Sequence, residues 1–446
     1  MTEVHAADWV VPVVASPLRD GAIAIDDGAI VDVGPREDVL GRHPSAPITE
    51  HGAAAILPGF VNAHTHLEYA TYGGFGDGLP FGPWLADHVR RKRTLDADAV
   101  HASAVLGAEA CLRAGVTCVA DCSFAGATVG ALRETGLRGT VYLEAFGGLN
   151  HDADEVAARA AGRLDALAGT CGPLVRLGVS PHAPYTVAPA TYAALARLAR
   201  ERELPLATHV AESAGEIEAA RDGTGPVVEA VRGFFDVAVL GEHPLAHLAR
   251  EGLLGPATLV IHAVHVGEPE LRLLADTGSP VAHCPRSNAV LGCGVAPVAA
   301  MRAAGITVGV GTDSPSSALD LDPFAELRAA ILMARASAQD AGVLSPRDVL
   351  RMATADAAAA VGRAGEVGAL APGLRADVVV VELGGTPYWP VEDVEAAVVY
   401  GGSPDRVALT LVDGTLRYRK SDDARYRHAL ERAATARAAM ISSSTR

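Results

Sequence analysis

The chain has 446 residues, 49% of them hydrophobic, and a formal net charge of −16, enough to bury a large core and to build one big domain with a smaller companion. That acidic balance, with no basic run longer than Arg90–Arg93, argues against a nucleic-acid partner, and no apolar stretch has the length of a membrane helix. The opening MTEVHAADWVVPV lacks a basic-then-apolar leader, and the six cysteines (Cys111, Cys118, Cys122, Cys171, Cys284 and Cys293) form no C-x-x-C pair, so a cytoplasmic enzyme with reduced thiols is expected.

Residues 1–57 read as short strands joined by turns. The stretch RDGAIAIDDGAIVDVGP carries Asp20-Gly21 and Asp27-Gly28 between alternating apolar residues, which is the pattern of a β-hairpin. The same pattern returns late in the chain, in ADVVVVEL and in VALTLVDGTLRYRK about Asp413-Gly414. Residues 1–57 and 366–420 are therefore expected to build one small β-sandwich domain from both chain ends, with residues 421–446 as a C-terminal helix and tail.

Between these ends, residues 58–365 alternate short apolar runs with Ala-rich amphipathic segments. The runs are GFVNAHTH, VTCVADC, GTVYLEAF, VRLGVSPH, PLATHVAE, TLVIHAVH, PVAHCP and ITVGVGTD. Parallel strands need crossover helices, so eight strand–helix repeats imply an α/β fold of the (β/α)8 TIM-barrel type. The chemistry collects at the C-terminal ends of the runs: His64 and His66, Asp121, His182, His209, His262, His283 and Asp313. All such ends meet on one face of a barrel, where sites form.

In a strand, residues i and i+2 face the same way, so His64 and His66 both point to the barrel mouth. His209 adds a third nitrogen and Asp313 an oxygen. Three imidazoles and one carboxylate with an open position make a catalytic metal site rather than a closed structural one, and the set suits zinc or iron. Lys92 and Lys420 are the only lysines. Neither falls at the end of a run, so no modified lysine is placed to bridge two ions, and one divalent ion per chain is expected.

These stretches resemble the amidohydrolase superfamily, in its mononuclear aminohydrolase branch of adenosine, S-adenosylhomocysteine/methylthioadenosine, guanine and triazine deaminases. The resemblance is carried by PGFVNAHTHLE, SPHAPYTV, THVAES, IHAVHV, AHCPRSN followed by LGCGVAPV, and VGVGTDS, from Pro58 to Ser314, and is extended by ATADAAAAVG and EVGALAPGLRADVVVV. It implies that His64, His66, His209 and Asp313 bind the metal and that His262 sits by the attacking water. It further implies that Glu212 carries a proton to the substrate ring, that His182 touches substrate and that His265 stands one layer back. Asp313 takes the proton of the water, so Glu212, His262 and Asp313 are the expected catalytic residues. The implied reaction replaces an amino group on a heterocycle by a carbonyl and releases ammonia.

The substrate is less legible. The Gly/Pro-rich stretch from Gly73 to Arg93 is placed to cover the site, with Phe81 and Trp84 as stacking surfaces for a flat ring. Methylthioadenosine/S-adenosylhomocysteine deaminases carry a glutamate two residues before this tryptophan, which grips the ribose hydroxyls; here that residue is Gly82. The HTHLE and CPRSN forms are most similar to 6-aminodeoxyfutalosine deaminases of menaquinone biosynthesis, whose substrate is an adenine nucleoside with a benzoate-bearing tail. Arg286, or one of Arg90, Arg91 and Arg93, is then expected to pair with the carboxylate, because guanidinium matches carboxylate geometry. Glu68 and Ser314, adjoining the ligands, are further substrate-side candidates. Other readings are a chlorohydrolase or a guanine- or cytosine-type deaminase on the same scaffold, or a catalytically silent metal barrel that only binds. A small heterocycle is the expected partner, and a homodimer the expected assembly.

Overall fold

The structure, a computed structural model, describes residues 1–443; the last three residues of the expected tail lie outside the described residues. The N-terminal strands are β1 (Glu3–Val10), β2 (Leu18–Asp26), β3 (Ala29–Pro35), β4 (Ile48–Glu50) and β5 (Ala54–Pro58). Asp27 and Gly28, both at positive φ, turn β2 into β3, as the Asp-Gly pattern requires.

The eight apolar runs become eight strands: β6 (Phe60–Thr65), β7 (Val116–Ser123), β8 (Arg138–Ala145), β9 (Val175–Pro181), β10 (Leu206–Val210), β11 (Thr258–His262), β12 (Val281–His283) and β13 (Val308–Val310). They pair in parallel and in chain order, β6 to β13. The ring closes by a parallel bridge between Thr65 and Asp313. There the Asp313 N–H donates to the His64 carbonyl at 2.9 Å and the Thr65 hydroxyl to the Asp313 carbonyl at 3.0 Å. A Cβ on Gly311 would lie 2.7 Å from the His64 backbone, so only glycine lets the first and last strands meet. Barrel closure itself thus sets Asp313 against His64 and His66.

Inside the barrel, Val61, Ala63, Cys118, Ala120, Cys122, Tyr142, Leu259, Ile261 and Cys284 pack as one cluster. Cys118, Cys122 and Cys284 are free thiols that fill space as small apolar side chains.

The strands β14 (Val378–Glu382), β15 (Val407–Val412) and β16 (Thr415–Arg419) return to the N-terminal strands. Order β16-β15-β14-β5-β1-β2-β3, with β4 on β1, joins both chain ends in one hydrogen-bonded mixed sheet. Buried Arg138 of β8 ties the barrel to this domain by charge-assisted bonds to Asp377 (3.0 Å), Glu366 (2.9 Å) and Asp413 (3.1 Å). The C-terminal helix Ala424–Ser443 packs on the helix Ala97–Arg113. Its Arg437 donates to the carbonyls of Thr71 (2.6 Å) and Gly73 (3.0 Å), holding the segment that comes after β6.

Candidate metal centre and active site

His64 sits at the middle of the barrel mouth. It is fully buried, and neither ring nitrogen has a hydrogen-bond partner among the described residues. Buried polar groups are normally satisfied, so an imidazole left this way calls for another partner. Its Nε2 lies 3.5 Å from Asp313 Oδ1, and the His66 Nε2 lies 3.6 Å from the same oxygen. The other ring nitrogens are fixed from behind. His66 Nδ1 donates to the Cys122 carbonyl at 2.7 Å, and His209 Nδ1 to the His182 carbonyl at 2.9 Å. Both Nε2 atoms are thereby left as acceptors, the arrangement that orients imidazole ligands. His64, His262 and Asp313 bring donor atoms within 4.8 Å of one another, and so do His66, Glu144 and His209. The donor set therefore fits a divalent cation, and His262 and Glu144 bring donor atoms as near to the expected ligands as those ligands are to one another.

Asp313 is held by three donors: Ser287 Oγ (2.6 Å), Ser317 Oγ (2.9 Å) and the Ser314 N–H (2.7 Å). Burial works to raise its pKa, but the His64 contact and the electrostatic pull of the neighbouring imidazoles prevail and keep it well below the usual carboxylate range. Glu212 shows the reverse: burial first, then repulsion from Asp313 and Glu216, holds its carboxyl well above the usual range. Two nearby carboxyls with opposite shifts are the pattern of a base and an acid.

Glu212 Oε1 lies 3.5 Å from His262 Nε2. His262 is turned by its Nδ1–H donating to Asn288 Oδ1 at 3.0 Å, and burial lowers its pKa to about 3, so the ring is neutral. The turn carrying Glu212 is gripped by Glu216, whose carboxylate accepts from the N–H groups of Ala211 (2.7 Å) and Glu212 (2.8 Å). Ala211, His262 and Asp313 all have positive φ. Such backbone costs about 1–3 kcal/mol per residue and gathers at functional sites.

These groups line a cavity of about 430 Å³, within the range of small-molecule sites. His66, His182, His209, Glu212, His262, Asp313 and Ser314 face it, as does Trp84. His182 is set by its Nδ1 bond to Thr186 Oγ1 at 2.8 Å. Trp84 also anchors the covering segment through Nε1 to the Ser316 carbonyl at 3.2 Å. The Ser314 hydroxyl is taken by Ser316 at 2.7 Å. His265 bonds the Cys293 carbonyl at 2.8 Å, away from the cavity.

Three expected contacts are corrected. Glu68 is turned away from the cavity: its carboxylate accepts from Ser123 Oγ (2.5 Å), Ala125 N–H (2.8 Å) and Ala127 N–H (2.8 Å), capping the start of the helix Ala127–Thr135. Phe81 packs in a side cluster with Leu85, Tyr185 and Val227 and does not line the cavity. Arg286 is bound to Asp320 (2.6 Å), to the Ala318 carbonyl and against Glu326, outside the cavity. Arg90 and Arg91 are both tied to Asp87. Arg93 does reach the cavity wall, its guanidinium carbon 4.4 Å over the Phe234 ring. Asp121 bonds the Leu67 N–H (3.1 Å) and Thr128 Oγ1 (2.9 Å) as a support, and His283 is buried outside the lining.

Sequence reading missed several groups. Glu144 lies two residues before the end of the run GTVYLEAF, a carboxylate where only His and Asp were sought. Glu216 comes after Ser213 in SAGE, the S-x-x-E spacing of a capping box, although its carboxylate turns to Ala211 and Glu212 instead. Asn288 and Ser287 lie in CPRSN. Phe124, Phe146, Phe234, Phe235 and Lys92 complete the cavity wall. Lys92 is not on a strand end; the helix Phe81–Lys92 brings it in.

A parallel barrel with imidazoles and a carboxylate at its C-terminal rim, around a cavity holding a raised acid and a lowered one, defines a barrel hydrolase. The chain belongs to the amidohydrolase family, whose model matches residues 55–417, and is with that family a hydrolase acting on C–N bonds. A model of an imidazolonepropionase-like composite domain of bacteria also matches residues 21–46. The 5-methylthioadenosine/S-adenosylhomocysteine deaminase of Nitratidesulfovibrio vulgaris (strain Miyazaki F) is 35% identical over 90% of this chain and 88% of its own. The protein of that name from Symbiobacterium thermophilum is 32% identical over 91% and 90%. Among solved structures, an adenosine deaminase of Xanthomonas campestris with bound zinc aligns with TM-score 0.86 and 29% identity, over 98% of each chain.

Proposed function

We propose that the chain is a hydrolytic deaminase of adenine nucleosides with one divalent ion, zinc or iron, in its site. The observation that carries this reading is Glu212 Oε1 standing 3.5 Å from His262 Nε2 beside Asp313, in a cavity walled by aromatic rings, with burial pushing the Glu212 carboxyl up while the imidazole contacts hold Asp313 down. The names of the relatives support it, and so does the zinc-bearing adenosine deaminase. When bound, the ion supplies Lewis acidity that brings the pKa of water toward neutrality. Glu212 gives its proton to the ring nitrogen next to the attacked carbon, making that carbon electrophilic. Asp313 accepts a proton from the attacking water, and His262 Nε2 offers an acceptor that holds the water in line. The C–O bond forms, Asp313 hands the proton it took from the water to the amino group, the C–N bond breaks with release of ammonia, and the hydroxyl proton of the adduct passes to Glu212 as the carbonyl forms.

For the particular substrate we favour 6-aminodeoxyfutalosine, and with it a place in menaquinone biosynthesis. Residue 82 supports this choice. A Cβ on Gly82 would lie 2.9 Å from the Pro226 Cβ and carbonyl oxygen, so the helix start has no room for the ribose-gripping glutamate of methylthioadenosine deaminases. The names of the relatives favour methylthioadenosine or S-adenosylhomocysteine as the second reading. A homodimer and a cytoplasmic setting belong to the same proposal; among the described residues no helix is long and apolar enough to cross a membrane.

The test is ammonia release and the ultraviolet shift of adenine to hypoxanthine on metal-loaded protein. Adenosine, methylthioadenosine, S-adenosylhomocysteine, guanine and 6-aminodeoxyfutalosine are compared. Highest kcat/KM on the last is expected. Turnover of methylthioadenosine above it replaces the substrate, and turnover of none removes the deaminase reading.

A further inference from the structure

Glu216 is fully buried, and among the described residues no cation pairs with it. Burial pushes its carboxyl up, and only the N–H groups of Glu212 and Ala211 work against that. Its Oε1 accepts from the Ala211 N–H at 2.7 Å and its Oε2 from the Glu212 N–H at 2.8 Å. Two successive N–H groups aimed at one anion make a backbone nest. This nest puts Ala211 in the left-handed region, at φ 56°, where an alanine is strained. The peptide between Ala211 and Glu212 is held at both ends. Glu216 takes its N–H, and its carbonyl accepts from the N–H groups of Val264 and His265, both at 2.9 Å. Those two residues come just after β11, which ends in His262. One peptide thus joins the turn that carries Glu212 to the turn that carries His262. Glu216 reaches it from the first turn of the helix Ala214–Asp222, where its own N–H donates to Ser213 Oγ at 3.1 Å.

We infer that Glu216 is a positioning residue of the reaction: by holding the Ala211–Glu212 peptide it fixes the Glu212 carboxyl at His262. The inference rests on the deaminase reading and adds to it a side chain outside the cavity lining. The role needs two acceptors on one side chain. A glutamine offers one acceptor, and its amide N–H groups would face a backbone N–H. An apolar residue would leave two buried N–H groups unpaired, which is costly. Either change frees the peptide to rotate and Ala211 to leave the left-handed region. The Glu212 carboxyl then swings away from His262 Nε2, which it now meets at 3.5 Å. Misplacing a reacting group by about 1 Å costs about 10² in rate.

The experiment measures kcat and KM on the nucleoside of the panel above with the highest kcat/KM. The proteins are metal-loaded wild type, Glu216→Gln, Glu216→Asp, Glu212→Gln and the double variant of Glu212→Gln with Glu216→Gln. In Glu216→Gln, kcat should fall about 10²-fold, with KM little changed and metal content equal to wild type. Glu216→Asp keeps both acceptors on a shorter arm, whereas glutamine is the better filler of space, so the aspartate variant should retain more of kcat. In the double variant kcat should fall less than about threefold below Glu212→Gln alone, because the acid being positioned is already gone. Wild-type kcat in Glu216→Gln, glutamine ranking above aspartate, or losses that multiply in the double variant each overturn the inference. If Glu216→Gln does not melt cooperatively, Glu216→Asp in the Glu212→Gln background makes the same comparison. A crystal structure of Glu216→Gln gives a readout apart from turnover: Glu212 should stand farther from His262 by about 1 Å. If the wild type deaminates nothing, that displacement keeps the positioning role and removes the reaction, and an unmoved Glu212 removes both.

Discussion

Replacing Glu212 by glutamine tests the assigned proton path most directly. Gln is nearly isosteric, and Glu216 holds residue 212 through the backbone, so the side chain keeps its place. The amide can still donate a hydrogen bond but cannot give up a proton. Among the cavity-lining carboxyls, Asp313 is held ionised and Glu144 stands beside His66, 4.0 Å from its Nδ1; neither replaces Glu212 at His262. General acid–base groups contribute roughly 10²–10⁴ in rate, which at about 1.36 kcal/mol per decade is about 2.7–5.4 kcal/mol of barrier. With no substitute acid at hand, a fall in kcat of about 10³ is expected, with KM little changed and metal content equal to wild type. The pH profile adds a second reading. Burial, then Asp313 and Glu216, raises the Glu212 pKa, and the working form is protonated, so wild-type activity falls as pH rises through that pKa. The variant lacks this alkaline limb. Stability has the same sign. A carboxyl whose pKa is higher folded than unfolded contributes stability below the unfolded value, which is lost as pH rises through the folded value. Glu212→Gln should therefore melt higher than wild type on the alkaline side, with a gain that grows with pH. A kcat above a tenth of wild type, or an intact alkaline limb, refutes the assignment.

Asn288→Ala removes the acceptor that turns His262; kcat should drop about 10–100-fold with metal content retained, and unchanged kcat would show that His262 needs no such support. Glu68→Ala strips the charge-assisted cap of the helix that starts at Ala127, so chemical denaturation should show a loss of about 2–4 kcal/mol with KM unchanged; a selective rise in KM would return Glu68 to the substrate side. Chelation should abolish turnover and lower the melting temperature, because a ligand at 100 times its Kd adds about 2.7 kcal/mol to the folded state; full activity after metal removal, checked by elemental analysis, contradicts the metal site.

The barrel was legible because it repeats. Eight apolar runs, each ending in polar residues and leading into a helical segment, admit few folds, and the rule that strand ends converge turned scattered histidines into one rim. His64 and His66 were legible at short range, since period-2 alternation fixes their common direction. The path of the chain beyond a strand end was not legible. After His66 the backbone enters a 3-10 turn with a kink at Tyr69 (φ −109°, ψ 21°), which sends Glu68 to the start of a neighbouring helix. Arg286 looked free in sequence, and only the fold brings Asp320 and Glu326 to it.

The sequence by itself determined the strand–helix alternation, the two-ended β domain and the types of residue at each strand end, because these arise from periodicities of two and 3.6 residues and from local turn chemistry. The tertiary structure alone decided the meeting of Asp313 with His64 across the closure, the opposed shifts of Glu212 and Asp313, and the lodging of Lys92 on Phe124. Each depends on groups tens to hundreds of residues apart being brought into a medium without water, where burial and neighbouring charge set protonation and partner choice, and no local pattern encodes that.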